Sequence, residues 1–207
     1  MSIFMKIKSL FLIACFILVN QNIFAQNDSL ILNKKRLFIA GTSIVGALGA
    51  SYWHVQNSWW TDQKGSFHFD NGADLRYALN VDKMGHFMGG LQAADIFSSS
   101  MKWTGMNEKK ALWYGAAFGS GLQLAIEIKD AYAPYWGFSK WDLALGAAGA
   151  AWPVLQYNND YFKGVNFKFS YYKRSDIYWE LDRQRSKETN QYAWHDDYPN
   201  QTYWDSF

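Results

Sequence analysis

After the N-terminal segment an uncharged stretch runs from Leu37 to Trp53, directly behind the basic cluster Lys34-Lys35-Arg36. Gly41, Gly46, Ala47, Gly49, Ala50 and Ser51 recur along it, and such small residues let another helix approach closely. At this length the run stands at the lower limit for crossing a bilayer, and it equally suits the central helix of a bundle. As a span behind a cleaved signal it would put its basic cluster on the non-cytoplasmic side, against the usual bias. The chain from Trp53 to Arg76 reads as a loop, with Asp70-Asn71-Gly72 as turn chemistry. His54 and His68 have no acidic neighbour at ligand spacing and read as ordinary loop or interface histidines.

A second helix is predicted from about Lys83 to Met101, with Asp82 at its N-cap. Thr104 to Asn107 is a turn, and Asn107 caps a third helix from about Glu108 to Tyr132, which Pro134 stops. Ser139-Lys-Trp-Asp142 matches a capping box and opens a fourth helix, interrupted near Pro153. Beyond Asn158 the period changes to two: Val165, Phe167, Phe169 and Tyr171 alternate with polar residues, as in a strand. A strand or hairpin followed by a mostly irregular, aromatic tail is expected. The fold class is mainly α: a Gly/Ala-rich bundle of about four helices with a short C-terminal β-strand or irregular region. The expected division is a signal peptide over 1–25, a helical bundle over 26–157 and a strand and polar, aromatic tail over 158–207.

The first residues supply the address. Lys6 and Lys8, then the apolar centre Leu10 to Val19, then Ile23-Phe24-Ala25 form a secretion signal with cleavage after Ala25. Leu12-Ile13-Ala14-Cys15 is a lesser lipidation option, and an uncleaved anchor is a third. Cys15 is the only cysteine, so cleavage after Ala25 leaves no disulfide. That cleavage also balances the charges at 18 basic and 18 acidic residues, which excludes a nucleic-acid role. Charged residues make up only 18% and aromatics 19% of the chain. Trp and Tyr favour the bilayer interface, so the expected partner is membrane lipid or another envelope component. The expected location is the periplasm or an envelope membrane, the outer one included.

Ionisable side chains gather in three otherwise apolar segments: Asp82, Lys83 and His86; Glu127 and Asp130; Ser139 and Asp142. Residues three or four apart share a helix face, and antiparallel second and third helices would bring these groups to one bundle end. A structural reading makes Asp82 an N-cap and Ser139 with Asp142 a capping box, the rest pinning the bundle end. A catalytic reading makes Asp82, Lys83, His86, Glu127, Asp130 and Asp142 the candidates. There His86 is general base or nucleophile, oriented by Asp82 or Glu127, and Lys83 binds an anion. A metal reading takes His86 with the carboxylates, but lacks the paired Glu-x-x-His of di-iron bundles, so no metal or cofactor is assigned. Ligand binding or transport is the fourth reading.

Asp82-Lys-Met-Gly-His86-Phe, Glu127-x-x-Asp130 and Gly137-Phe-Ser139-x-x-Asp142, followed by Gly146 and Gly149, resemble the YfiM-like envelope proteins, domain of unknown function 2279. The resemblance covers roughly Trp53 to Trp152 and implies a periplasmic protein or lipoprotein without an established activity. The Asp-Lys-x-x-His pattern, the later Glu and an Asp before a Gly-rich helix are also loosely similar to VanZ-like membrane proteins. Asp130 departs from the glutamine-like residue expected there. The function expected is that of a membrane-associated envelope protein whose buried Asp/Lys/His/Glu/Asp cluster is structural or ligand-binding. The alternative is an envelope hydrolase or transferase acting on a lipid-linked or cell-wall substrate, with His86 as general base.

Overall fold

A computed structural model describes residues 32–57, 60, 64–72, 74–134, 136–177, 180 and 197–206. The expected signal segment, Cys15 and most of the tail between Tyr178 and Asp196 lie outside the described residues. Four helices carry the fold: α1 (Lys34–Gln56), α2 (Val81–Trp103), α3 (Glu108–Asp130) and α4 (Lys140–Asn158). Two strands, β1 (Asn166–Tyr171) and β2 (Gln201–Ser206), pair antiparallel with Asn166 opposite Ser206 and Tyr171 opposite Gln201. The mainly α class with a short C-terminal sheet is therefore the observed one. The tail is less irregular than expected, because its last residues supply the partner strand for β1.

The core is the three-helix packing of α2, α3 and α4. Backbones meet where the sequence is glycine-rich. A Cβ added at Gly90 on α2 would fall on the carbonyl oxygen of Gly146 on α4, and one at Gly149 would fall on that of Phe87. Ala94 and Ala150 lie against Gly119 of α3 as buried small residues, so the third helix comes equally close. Helix α4 continues through the buried Pro153 to Asn158, correcting the expected interruption there; tertiary contact outweighs the lost amide bond.

Helix α1 is not the central helix. Ala40 is its only buried residue, packed with Phe97, Met101 and Ala111, and Phe38, Ile39, Val45 and Trp53 are exposed. A Cβ added at Gly41, Gly46 or Gly49 would meet nothing within 4 Å among the described residues, so these glycines do not serve close helix approach there. No helix among the described residues is long and apolar enough to cross a membrane. The polar residues flanking the uncharged run belong to the same helix and dilute it.

Three local features aim the loops at one end of the bundle. Phe69 and Phe138 form an isolated parallel bridge, with Asp70 N donating to Phe138 O at 3.1 Å. Asp70 then accepts from the amides of Gly72 and Asp74, turning the chain into a 3-10 segment over Asp74–Asn80. That segment ends with Ala78, Leu79 and Asn80 at φ 46, 53 and 64°, left-handed values that cost a residue with a Cβ roughly 1–2 kcal/mol. The N-cap position of α2 is Asn80, without a side-chain cap bond; Asp82 lies inside the first turn, so the capping role expected of it is not what its side chain does.

Candidate functional site

The end of the bundle where α2 begins, α3 ends and α4 begins holds the polar centre. Lys83 is buried and its Nζ lies 2.5 Å from Asp74 Oδ1, 3.2 Å from Asp82 Oδ2 and 2.7 Å from Asp142 Oδ1. The first two are hydrogen bonds; the third is an ion pair without hydrogen-bond alignment. Burial would lower the Lys83 pKa, but the contacts to Asp142, Asp74 and Asp82 outweigh it and push it up. Ringed by three carboxylates, Lys83 is not free to bind an anion as the catalytic reading required.

His86 stands one turn further along α2. Its Nδ1 donates to Gln123 Oε1 at 2.9 Å. Its Nε2 faces Asp82 Oδ2 at 3.9 Å and Asp142 Oδ2 at 3.8 Å, and Nδ1 lies 3.8 Å from Glu127 Oε1. These carboxylate distances are too long for hydrogen bonds. Burial would lower the His86 pKa, yet Asp82, Asp142, Gln123 and Glu127 together raise it. The ring therefore holds a proton more firmly than a free imidazole.

Glu127 is the most enclosed acid of this cluster, at 1% exposure. Its Oε2 accepts from the Ser139 amide at 2.8 Å, while Oε1 has no hydrogen-bond partner among the described residues. Burial pushes its pKa up to about 8, against the opposing pull of His86 and the Ser139 amide. Burial likewise raises Asp142 to about 6. Ser139 caps α4 by accepting from the Asp142 amide at 3.2 Å, and its hydroxyl donates to Asp74 Oδ2 at 2.6 Å. The capping box is thus only half of the expected kind. The acid that returns to the Ser139 amide is Glu127 of α3, and the Asp142 carboxylate turns to Lys83 and His86 instead.

Asp130 sits beside this group and is held by Trp60, whose Nε1 donates at 2.6 Å. Burial raises its pKa to about 6. The structure thus brings Asp82, Lys83, His86, Glu127, Ser139 and Asp142 into one cluster with Asp130 at its margin. His68 bonds only the backbone carbonyls of Ser66 and Trp136, as a loop histidine does. Asp74, Gln123, Trp60 and Tyr198 were not singled out in the sequence. Gln123 had a signal, since it precedes Glu127 by one helical turn. Asp74 and Tyr198 had none: a loop delivers the first, and the C-terminal tail brings the second, whose hydroxyl donates to Asp82 Oδ1 at 2.7 Å.

The ordered residues Asp82, His86, Glu127, Ser139 and Asp142 all fall within one matched segment. Residues 69–158 match the family model of domain of unknown function 2279, a predicted periplasmic lipoprotein. The match to domain of unknown function 2279 begins at Phe69, on the bridge to Phe138, and ends at the last residue of α4. It contains the three packed helices and the polar centre, and it excludes α1 and both strands. The description agrees with the export read from the first residues. No curated protein and no solved structure matches the chain.

Proposed function

We propose that the chain is an exported envelope protein, held at a membrane surface, whose bundle carries a buried centre that binds a small ligand. The observation supporting binding is unused polar capacity. Nε2 of His86 and Oε1 of Glu127 make no hydrogen bond to a described residue, where five carboxyl groups stand against two basic side chains. Buried networks that serve packing alone are normally closed, because an unpaired polar group in a low dielectric is costly. The side chains of Asp82 and His86 keep 14% and 16% exposure, which favours a small solute over a lipid chain. A ring that holds its proton firmly is poorly suited to the general-base role, so binding is favoured over hydrolysis or transfer.

Membrane association is supported by the family description and by α1, which presents Phe38, Ile39 and Trp53 to solvent beside Lys34, Lys35 and Arg36. The decisive experiment is complementation of a deletion strain with His86→Ala and Glu127→Gln variants shown to be folded. Loss of complementation supports a working centre; full complementation by both leaves only packing. Fractionation tests the address. Wild type is expected with membranes and a Cys15→Ser variant is expected to be soluble if the anchor is a lipid. Release of the wild-type mature chain by osmotic shock would end the membrane part of the reading.

A further inference from the structure

Asp82, His86 and Asp142 offer one donor atom each, all within 4.8 Å of one another. Ligand atoms around a cation held at about 2.0–2.6 Å span distances of this order. We propose that these three side chains form a divalent-cation site, filled by a first-row ion of the zinc or manganese kind, at the junction of α2 and α4. The proposal names the ligand of the centre described above and rests on that reading.

Two independent features point to a cation. The first is the setting of the imidazole. With Nδ1–H donating to Gln123 Oε1, Nε2 is the ring nitrogen that faces Oδ2 of Asp82 at 3.9 Å and Oδ2 of Asp142 at 3.8 Å. Both oxygens stand beyond hydrogen-bond distance of this nitrogen, which leaves room between them for a positive charge, either the ring's own proton or a cation that displaces it. A metal-bound histidine has this arrangement: its second ring nitrogen donates to an oxygen that fixes tautomer and orientation. The second is the state of the supporting acids. Asp142 is 5% exposed, and Glu127, at 1%, keeps Oε1 unpartnered 3.8 Å from the same ring. Lys83 neutralises one carboxylate and is shared among Asp74, Asp82 and Asp142, so even with Glu127 neutral the carboxylates outnumber this lysine in a place with little water.

The ligands sit on rigid elements. Asp82 and His86 are four apart on the first turns of α2, and Asp142 is in the first turn of α4, fixed by the Ser139 cap and the Lys83 ion pair. Tyr198 holds the other oxygen of Asp82 and so turns Oδ2 toward the ring. One imidazole and two carboxylates suit zinc or manganese better than magnesium or calcium, which prefer oxygen alone. The positions not supplied by protein remain for solvent or a further ligand.

The test is equilibrium dialysis of the full mature chain, freed of metal by chelator, against zinc and manganese chloride, with metal counted by mass spectrometry. One equivalent per chain is expected at neutral pH, with binding at least tenfold weaker at pH 5, where protons compete for His86. His86→Gln and Asp142→Asn, each confirmed folded by circular dichroism, are expected to weaken binding at least tenfold. His68→Ala, whose ring bonds the Ser66 and Trp136 carbonyls and none of the three ligands, is expected to leave it unchanged. Absence of stoichiometric binding by wild type, or equal binding by the two folded site variants, overturns the proposal. If no cation binds but the site variants still fail to complement, the small-ligand reading stands and only the cation falls. If both variants complement in full and no cation binds, that reading falls as well.

Discussion

At the scale of single residues, Lys83 and Glu127 make opposite contributions to one buried network. Lys83 is the cation shared by Asp74, Asp82 and Asp142, so removing it leaves three carboxylates uncompensated. Lys83→Met is expected to destabilise the fold by roughly 3–5 kcal/mol in urea denaturation, the range for breaking a buried pair from one side. Glu127 prefers its neutral form. In the folded chain its pKa stands at about 8 against an ordinary 4.5. Between those values the folded state binds more protons than the unfolded one, so stability falls as pH rises. His86 and Asp142, also raised, act in the same direction within this window. Chelated wild type is therefore expected to lose on the order of a few kcal/mol between pH 5 and pH 8. Glu127→Gln, which copies the protonated acid, is expected to flatten much of that slope; an unchanged slope would show that Glu127 is ionised throughout.

At the scale of elements, glycines of similar appearance in the sequence do different things. Gly90 and Gly149 let α2 and α4 touch through their backbones, whereas Gly41 on α1 meets no described residue. Gly149→Ala is expected to cost 1–3 kcal/mol or more through overpacking. Gly41→Ala is expected to be neutral or to stabilise by up to about 1 kcal/mol, because alanine suits an exposed helix better. Paired thermal melts check both. The turn before α2 offers a gain of another kind. Leu79 is 91% exposed at φ 53°, so Leu79→Gly removes backbone strain without opening a core. A rise of about 1 kcal/mol in unfolding free energy is expected, and a fall would mean the left-handed turn is not where the chain rests.

The helices were legible because their signals are local: uncharged Gly/Ala runs, Asn107 and Ser139 as caps, and Pro134 after the third. The convergence of Asp82, His86, Glu127 and Asp142 was legible too, since helix spacing and a short α2–α3 turn leave those groups few other places. Contributions arriving through tertiary contact were not. No local pattern announces that Glu127 takes the place of Asp142 at the Ser139 amide, or that Asp74 reaches Lys83. The run from Leu37 misled for the same reason. Uncharged sequence describes what a helix tolerates, and its neighbours decide whether it is enclosed.

At the scale of the whole molecule, the matched segment and the C-terminal sheet meet over the polar centre. Phe167 of β1 packs edge-on against Phe87 and Trp152, with centroids 4.7 and 4.9 Å away, while the segment leading into β2 brings Tyr198 to Asp82. Burial and Asp82 together push the Tyr203 pKa up to about 12. Truncation before Gln201 is expected to keep the helical circular dichroism signal while lowering the thermal midpoint. Retention of the full midpoint would show that the sheet is an ornament to the bundle.

The two oxygens of Glu127 serve different masters. One steadies the opening amide of α4, and the other looks at the imidazole on α2. Whatever alters the charge at that imidazole is thereby felt where α4 starts, through a single rigid carboxyl group and without any moving hinge. If the centre is filled as proposed, the backbone amide of Ser139 is where its filling is to be read.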